Sequence, residues 1–293
     1  MKSETFSFSA EEKSKQEFID ISNSLADAKI ALQGGHVMSW KPKLIKEDIL
    51  WLSTNARYEK GRSIRGGSPI CWPWFGDHPT DGSYCVHGFA RVAPWKIESS
   101  AQLKNGATKI VLKLNPTEKE LKQLTYNYEL ELTITVGDTL YLNLKTTNLS
   151  SHPFTISEGY HTYFNVSDIG NIKITGLENS VYTDKFDNYN RGIEKGPIKF
   201  NGPFDRVYSN TSNDCYIEDD LFNRVITVKK SNSNSTVVWT PWGKKASEMG
   251  DMGAENEWRK MICLETANLL ENSVVIYPGL SHSISTEYSV QEH

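Results

Sequence analysis

The chain has 293 residues, a formal net charge of -4 and 38% hydrophobic residues, so it is long enough to bury a substantial core. Its mild acidity argues against nucleic acid or an anionic membrane as the main partner, because both require a strongly basic patch. No apolar signal core follows Met1, no run of about 18 apolar residues occurs, and the four cysteines form no C-x-x-C pair. We therefore expect a cytoplasmic protein with reduced thiols and without a membrane or nucleic-acid partner.

Two predicted hairpins show the strand-rich character of the chain. Residues 28–32 and 36–40 are short apolar runs joined by a Gly-Gly pair, which is typical of a β-hairpin. Residues 126–136 and 140–148 are strand-like runs joined by a tight Gly-Asp turn. Similar short runs separated by turn residues continue towards the C-terminus, and this pattern predicts two packed antiparallel sheets.

Helix is a minor component of the prediction. Residues 10–21 could form a turn or two of helix with Ser9 as the N-cap, and residues 117–122 predict a short helical piece between strands. The expected fold class is therefore all-β, a large antiparallel β-sandwich with few short helices. Because we find no internal repeat or low-complexity linker, we expect residues 1–293 to form a single domain, with residues 1–25 as an N-terminal extension.

An ordered aromatic loop is predicted for residues 62–79. Its prolines and glycines forbid regular structure, while Trp72 and Trp74 need burial or a ligand face. Arg65 in this loop precedes two glycines whose bare N–H groups can approach an anion, and Arg91 ends a nearby turn. Since guanidinium groups bind phosphate bidentately, the two arginines suggest a phosphate clamp. The alternative is two surface arginines stacked on the tryptophans.

His161 lies in the middle of a β-branched and aromatic run, residues 154–166. If this run is one strand, alternation places His161 on the same face as Gly159 and Tyr163. The imidazole would then form the floor of a polar pocket. A core histidine with satisfied hydrogen bonds is the alternative interpretation.

Glu265 supplies a second titratable group. It interrupts the apolar strand pattern of residues 259–268 and shares a face with Met261 and Cys263. A carboxylate is rarely buried without a partner or a task, because desolvation penalises its charged form. The same desolvation raises its pKa towards the range that suits a general base.

Sequence patterns for metals and cofactors are absent. The seven histidines form neither H-x-H nor H-E-x-x-H, and no calcium loop, P-loop or dinucleotide fingerprint occurs. We therefore predict neither a metal site nor a cofactor. Asp205 could accept hydrogen bonds from sugar hydroxyls, or could simply pair with the neighbouring Arg206.

Six motifs, in this order along the chain, carry a resemblance to a known family. They are Arg65-Gly66-Gly67, His87-Gly88-Phe89-Ala90-Arg91, His161-Thr162-Tyr163-Phe164-Asn165-Val166, Asp205-Arg206-Val207-Tyr208, Met249-Gly250-Asp251-Met252 and Cys263-Leu264-Glu265-Thr266. The combination resembles the D-hexose-6-phosphate mutarotases, which are the glucose-6-phosphate 1-epimerases of the aldose 1-epimerase group. The resemblance spans residues 28–288.

The resemblance implies a β-supersandwich of the galactose-mutarotase type that needs no metal or cofactor. It also implies an isomerase that interconverts the α and β anomers of a hexose 6-phosphate, most closely glucose 6-phosphate, by opening and reclosing the ring. By resemblance, His161 takes the place of the general acid and Glu265 that of the general base. Arg65, Arg91 and Asp205 fall on substrate-contacting positions, with the arginines on the phosphate side. The partner is thus a small sugar phosphate, and we expect a monomer.

Two neighbouring positions refine this expectation. A glutamine commonly precedes the His-Gly-Phe-Ala-Arg motif in the family, whereas this chain has Val86, which cannot replace the hydrogen bond of an amide. His87 either shares the role of the acid or binds the sugar through a hydrogen bond. We further expect the imidazole of His161 and the carboxyl of Glu265 to meet on opposite sides of one anomeric carbon.

Three other functions remain open from the sequence. An aldose 1-epimerase acting on unphosphorylated sugars would leave the Arg65 and Arg91 pair without a purpose. A non-catalytic sugar-phosphate-binding sandwich would not need a histidine and a glutamate at one sugar carbon. A glycosidase needs two carboxylates, for which Glu158 and Glu265 are candidates, although strand alternation turns Glu158 away from His161.

Overall fold

Strands dominate the structure, a computed structural model that describes residues 5–11 and 16–293. In chain order the strands are β1 Thr5–Glu11, β2 Gln16–Ser22, β3 Ala26–Ala31, β4 His36–Pro42, β5 Ile70–Cys71, β6 Trp95–Gln102, β7 Thr108–Leu114, β8 Tyr128–Val136, β9 Leu140–Asn148, β10 Phe154–Ile156, β11 Glu158–Tyr160, β12 Tyr163–Asn165, β13 Ile172–Thr175, β14 Val181–Asp184, β15 Asn190–Ile193, β16 Phe204–Ser209, β17 Cys215–Asp219, β18 Arg224–Ser231, β19 Ser235–Thr240, β20 Met261–Asn268, β21 Val274–Ile276 and β22 Ser281–Glu292. Two short α-helices occur in the described residues, α1 Glu118–Leu121 and α2 Trp242–Met249.

The strands pair into antiparallel sheets, as the sequence predicted. An N-terminal sheet has the order β1-β2-β3-β4, and β10 pairs separately with β21. Sheet I has the order β13-β17-β18-β22-β9-β8-β7-β6. Sheet II has the order β15-β14-β16-β19-β20-β11-β5, and β12 also pairs with β20. Sheets I and II pack face to face, which confirms the predicted sandwich.

Sheet I follows the simple period-two pattern of its sequence. Along β7 and β9 nearly every second residue is buried, because the apolar residues alternate with polar ones. Leu112, Leu132, Leu144 and Ile284 lie in one row across four adjacent strands, and none is more than 1% exposed. Burial of each such side chain contributes about 1.5–3 kcal/mol of hydrophobic stabilisation.

Sheet II is covered on both faces at its centre, where every residue of β20 is buried. One face of β20 points at sheet I, since the hydroxyl of Thr266 donates to that of Thr286 on β22 at 3.1 Å. Alternation turns Cys263 and Glu265 to the opposite face, which we call the outer face of sheet II. Polar side chains on the outer face are thus held by a strand whose other face is fixed in the core.

Both predicted hairpins and one of the two predicted helices are confirmed. Strands β3 and β4 pair across the Gly-Gly turn, and β8 and β9 pair across the Gly-Asp turn. Helix α1 falls within residues 117–122 as expected. Helix α2 was not predicted, although Pro241 before it and Gly250 after it, with φ +69°, are helix-boundary signals.

The prediction of helix for residues 10–21 is wrong. Residues 5–11 and 16–22 form β1 and β2, and the part of the prediction at residues 12–15 lies outside the described residues. Pairing of β2 with β3 buries Phe18, Ile19 and Ile21, so tertiary contacts override the weak local signal for a helix. In the part of the chain that the structure covers, no helix has the length and apolarity needed to cross a membrane.

Candidate active site

A cavity of about 600 Å³ opens on the outer face of sheet II. Its volume lies in the range typical of small-molecule sites in proteins. All six site residues that were predicted from the sequence line this cavity, although they come from distant parts of the chain. They are His161, Glu265, Arg65, Arg91, His87 and Asp205.

Strand register explains why His161 and Glu265 meet. Tyr160 pairs with Thr266 and Tyr163 pairs with Cys263, so the residues between these pairs place His161 directly opposite Glu265. Side chains directly opposite each other on antiparallel strands are close neighbours. The Nδ1 atom of His161 accordingly lies 3.4 Å from Oε1 of Glu265.

The predicted strand 154–166 is broken into β10, β11 and β12, and His161 sits in the gap between the last two. Its backbone N–H donates to the carbonyl of Pro69 at 2.9 Å, and its ring stacks on that of Tyr163 with centroids 4.9 Å apart. The imidazole and the carboxyl of Glu265 therefore lie side by side. The expectation that they would flank one carbon from opposite sides was wrong, because cross-strand neighbours project from the same face of a sheet.

Burial sets the protonation of the His161–Glu265 pair. Desolvation raises the pKa of the Glu265 carboxyl well above its ordinary value, and the positive charges of Lys185 and Arg91 only oppose this rise. Desolvation lowers the pKa of the His161 imidazole well below its ordinary value, and His87 and Arg91 act in the same direction. Before substrate binds, burial therefore favours a neutral carboxyl at Glu265 and a neutral imidazole at His161.

His87 is placed beside the pair by an unusual backbone. It has φ +68°, and its ring centroid lies 5.2 Å from that of His161. The N–H of Gly76 donates to Nδ1 of His87 at 3.2 Å, so Nε2 carries the ring proton in the neutral form. Burial lowers the pKa of this imidazole well below its ordinary value. His87 is therefore a neutral hydrogen-bond donor at the cavity wall.

Arg65 is held by two partners that the sequence did not indicate. Its guanidinium forms an ion pair with Asp251, with Nε 3.1 Å from Oδ1 and Nη2 3.3 Å from Oδ2. Nη1 also donates to the hydroxyl of Tyr163 at 2.8 Å. The glycines after Arg65 allow close backbone contact, since a Cβ on Gly67 would lie 2.4 Å from the carbonyl oxygen of Val37.

Arg91 differs from Arg65 in its surroundings. It is only 7% exposed, and its Nε donates to the hydroxyl of Ser63 at 2.9 Å. Among the described residues, no carboxylate lies within ion-pair distance of its guanidinium. Arg91 thus brings uncompensated positive charge to the cavity wall. Neither arginine stacks on Trp72 or Trp74, which are buried and hydrogen-bonded elsewhere.

Asp205 faces the cavity from β16 and pairs with a residue that sequence reasoning missed. The Nζ atom of Lys185 lies 3.3 Å from Oδ1 of Asp205, and the Lys185 backbone N–H donates to the Asp205 carbonyl at 2.9 Å. Desolvation raises the pKa of the Asp205 carboxyl, and Lys185 partly offsets this rise. Arg206 pairs instead with Asp184 and Glu194, so Asp205 remains available to a ligand.

Glu158 does not take part in this site. It is fully buried and pairs with Nε2 of His282 at 2.9 Å, away from the residues that line the cavity. The pair of carboxylates that a glycosidase would require is therefore not formed by Glu158 and Glu265. Strand alternation had predicted this separation.

One group of side chains in the described residues could hold a metal ion. A ligand atom from each of His161, Cys263 and Glu265 lies within 4.8 Å of the other two. These are ligand types that zinc accepts. Because Cys263 and Glu265 lie on β20 whereas His161 lies between β11 and β12, no local spacing in the sequence indicates this group. The expectation of a metal-free site stays a prediction.

Comparison with known proteins gives one consistent result. The aldose 1-epimerase family matches residues 17–289 of the chain. A protein of Escherichia coli (strain K12) named "Putative glucose-6-phosphate 1-epimerase" is 33% identical over 267 residues, which cover 91% of this chain and 88% of that protein. A protein of the same name from Cenchrus ciliaris is 37% identical over 261 residues, covering 86% of this chain and 78% of that protein.

Solved structures agree with this result. The crystal structure of a protein described as a "putative mutarotase" from Salmonella typhimurium has a TM-score of 0.89 and 28% identity, covering 98% of this chain and 97% of that chain. A galactose mutarotase-like protein from Clostridium acetobutylicum, at 16% identity, covers all of both chains with a TM-score of 0.74, which shows that the fold is shared. The fold is thus the predicted β-sandwich of the galactose-mutarotase type, and the chain belongs to the aldose 1-epimerase family.

Proposed function

We propose that this protein interconverts the α and β anomers of a hexose 6-phosphate, with glucose 6-phosphate as its main substrate. The observation that carries the proposal is the His161–Glu265 contact of 3.4 Å on the wall of a cavity where Arg91 has no anionic partner among the described residues. The names of the relatives from Escherichia coli and Cenchrus ciliaris support the choice of substrate.

The side-by-side geometry suits ring opening. The C1 hydroxyl and the ring oxygen are both bonded to C1, so the two groups that serve them must be neighbours. Glu265 takes the proton of the C1 hydroxyl while His161 donates a proton to the ring oxygen, and the bond from C1 to the ring oxygen breaks. Rotation about C1–C2 presents the other face of the aldehyde, and the reverse transfers close the ring. The pair begins and ends with one proton.

The charge of the substrate prepares the pair for this reaction. Before binding, burial favours the proton on Glu265, whereas the reaction starts from a carboxylate and an imidazolium. C6, which carries the phosphate, is bonded to C5, the other neighbour of the ring oxygen, so in this proposal the phosphate lies on the side of the sugar that His161 serves. Its negative charge stabilises the imidazolium more than it destabilises the carboxylate, which moves the proton to His161. Free glucose lacks this effect.

Other lining residues bind the substrate in this proposal. Arg91 contacts the phosphate, Asp205 accepts hydrogen bonds from sugar hydroxyls, and His87 donates one from Nε2. Arg65 retains N–H groups for a substrate oxygen although its charge is balanced. The whole chain acts as one domain, which is supported by a single hydrophobic cluster that joins the N-terminal sheet, sheet I and sheet II.

Two-dimensional exchange NMR tests the proposal, because it measures the rate at which α and β anomers interconvert at equilibrium. We expect the protein to accelerate exchange of glucose 6-phosphate strongly and that of free glucose weakly. Galactose 6-phosphate and mannose 6-phosphate define the sugar preference. Equal acceleration of glucose and glucose 6-phosphate would contradict the phosphate requirement and favour an epimerase of unphosphorylated sugars. No acceleration of any sugar would contradict the reaction itself.

A further inference from the structure

The cationic side chains at the cavity differ in how far their charge is balanced. Four of them line it, Arg65, Arg91, Lys185 and Lys245. Arg65 is paired with Asp251 and Lys185 with Asp205, both at hydrogen-bonding or ion-pair distance. A carboxylate that already neutralises a cation lowers the net attraction of that site for a second anion. Arg65 and Lys185 therefore contribute little net charge for a phosphate.

Lys245 keeps most of its charge available. Its nearest carboxylate among the described residues is Glu248, 3.9 Å away on the same helix, and both side chains are more than half exposed. An exposed pair of this kind is screened and weak. Together with Arg91, Lys245 thus supplies the unbalanced positive charge of the cavity.

Helix α2 presents Lys245 to the cavity by its periodicity. Met249, one turn further along the helix, also lines the cavity, as expected for residues four apart on one face. The neighbouring Lys244 does not line it. Immediately after the helix, Asp251 pairs with Arg65, which ties this end of α2 to the cavity wall. The helix is thereby fixed as one side of the site.

We propose that Lys245 is a phosphate-recognition residue of this site, acting with Arg91, and that Arg65 instead serves chiefly to anchor the segment after α2 through Asp251. This inference rests on the proposed function and names the residue that gives it selectivity for phosphorylated sugars. Both side chains line the same cavity, Lys245 on α2 and Arg91 outside that helix. A dianionic phosphate that contacts both gains two charge-assisted interactions.

Anomer exchange with Lys245→Met tests this role, because the substitution removes the charge and keeps most of the side-chain length. We expect KM for glucose 6-phosphate to rise about tenfold, in line with the loss of one charge-assisted hydrogen bond at a partly exposed site, with kcat nearly unchanged. Lys245→Arg should restore KM to near the wild-type value.

Lys244→Met is the matched control, since it removes the same charge from the same helix outside the cavity. We expect it to leave KM within about twofold of wild type, because exposed charges act weakly at a distance. An equal rise in KM for both variants, or none for Lys245→Met, would overturn the assignment.

Calorimetric titration with inorganic phosphate separates this inference from the proposed reaction. We expect phosphate to bind the wild-type protein and Lys244→Met more tightly than Lys245→Met, by about the same tenfold factor. This result would support the phosphate site even if wild-type protein exchanged no sugar. Equal phosphate binding by all three proteins would contradict the role of Lys245 whatever the activity.

Discussion

Sheets I and II are built from similar numbers of strands but use their outer faces differently. In sheet I, β7 alternates buried and half-buried residues, and its outer side chains meet solvent. In sheet II, all eight residues of β20 are buried, and the outer face includes a carboxyl group with an unpaired Oε2 atom at Glu265. A strand covered on both faces can thus hold a titratable group away from water, at a cost in stability.

This contrast separates the residues that stabilise the fold from those that do chemistry. Leu132 and the other residues of its row contribute to stability through apolar burial. At His161 and Glu265, burial instead disfavours the charged form of each side chain. Substitutions in sheet I should therefore affect stability, and substitutions on the outer face of sheet II should affect activity.

The largest expected effect is that of Glu265→Gln on the rate. The near-isosteric amide cannot exchange a proton with the sugar, so anomer exchange of glucose 6-phosphate should fall about 10²–10⁴-fold. Stability at pH 7 should rise or stay unchanged, because the folded state no longer buries a carboxyl group. Exchange NMR and urea unfolding measure the two quantities. Glu158→Gln is the control for a buried glutamate outside the cavity: it should keep the exchange rate and lose stability.

Leu132→Ala should show the reverse pattern. Removal of this fully buried side chain leaves a space in the row across sheet I and should lower the free energy of unfolding by about 2–5 kcal/mol. The exchange rate of the folded protein should stay near wild type. Thr133→Ala, at the adjacent half-buried position, should change stability by less than about 0.5 kcal/mol. A large loss of activity in folded Leu132→Ala would remove the distinction between the sheets.

A smaller effect is expected for the contribution of His36 to the pH dependence of the protein's stability. Nε2 of this buried imidazole lies 2.7 Å from the Gly66 carbonyl next to Arg65, and burial lowers its pKa to about 3. Since the unfolded chain binds a proton near pH 6.5 and the folded chain does not, stability falls as the pH drops below 6.5. Between pH 6.5 and 5, His36 alone should account for about 2 kcal/mol.

Urea unfolding of His36→Asn at these two pH values measures this contribution. The variant should lose less stability than wild type on acidification, by about the stated amount. Parallel pH curves for wild type and His36→Asn would show that His36 titrates in the folded protein as it does in the unfolded chain.

The smallest expected effect is a gain at Val86. This side chain is half exposed and lines the cavity, at the position where the family resemblance leads us to expect a glutamine. Val86→Gln should lower KM for glucose 6-phosphate about two- to tenfold, the gain of one hydrogen bond. Val86→Ala, which adds no donor, should not lower KM. If Val86→Gln leaves KM unchanged or raises it, the amide has no partner on this substrate.

Local patterns in the sequence predicted much of the fold. Alternating apolar residues and Gly-containing turns predicted the β3–β4 and β8–β9 hairpins, because both signals are local. Strand β2 was missed, since its buried residues acquire their pattern only when it pairs with β3. Residue types and family resemblance together placed six side chains that do line one cavity.

The remaining parts of the site depend on long-range contacts. The roles of Asp251 and Lys185 at the cavity were not predicted. Each forms an ion pair with a residue that is not its neighbour in the sequence, Asp251 with Arg65 and Lys185 with Asp205. Asp251 belongs to one of the six motifs that carry the family resemblance, but nothing in the neighbouring sequence indicated that Arg65 is its partner. The side-by-side position of His161 and Glu265 follows from the pairing of β11 and β12 with β20. Local sequence patterns do not predict the register of that pairing.

The most direct test of the His161–Glu265 pair is the exchange rate of glucose 6-phosphate with His161→Asn, Glu265→Gln and the double variant, measured by exchange NMR at one pH. If the two side chains share one proton and act as a unit, each single variant loses at least about 100-fold and the double variant loses no more than the worse single one. Losses that multiply in the double variant, or a wild-type rate with Glu265→Gln, would contradict the shared-proton pair.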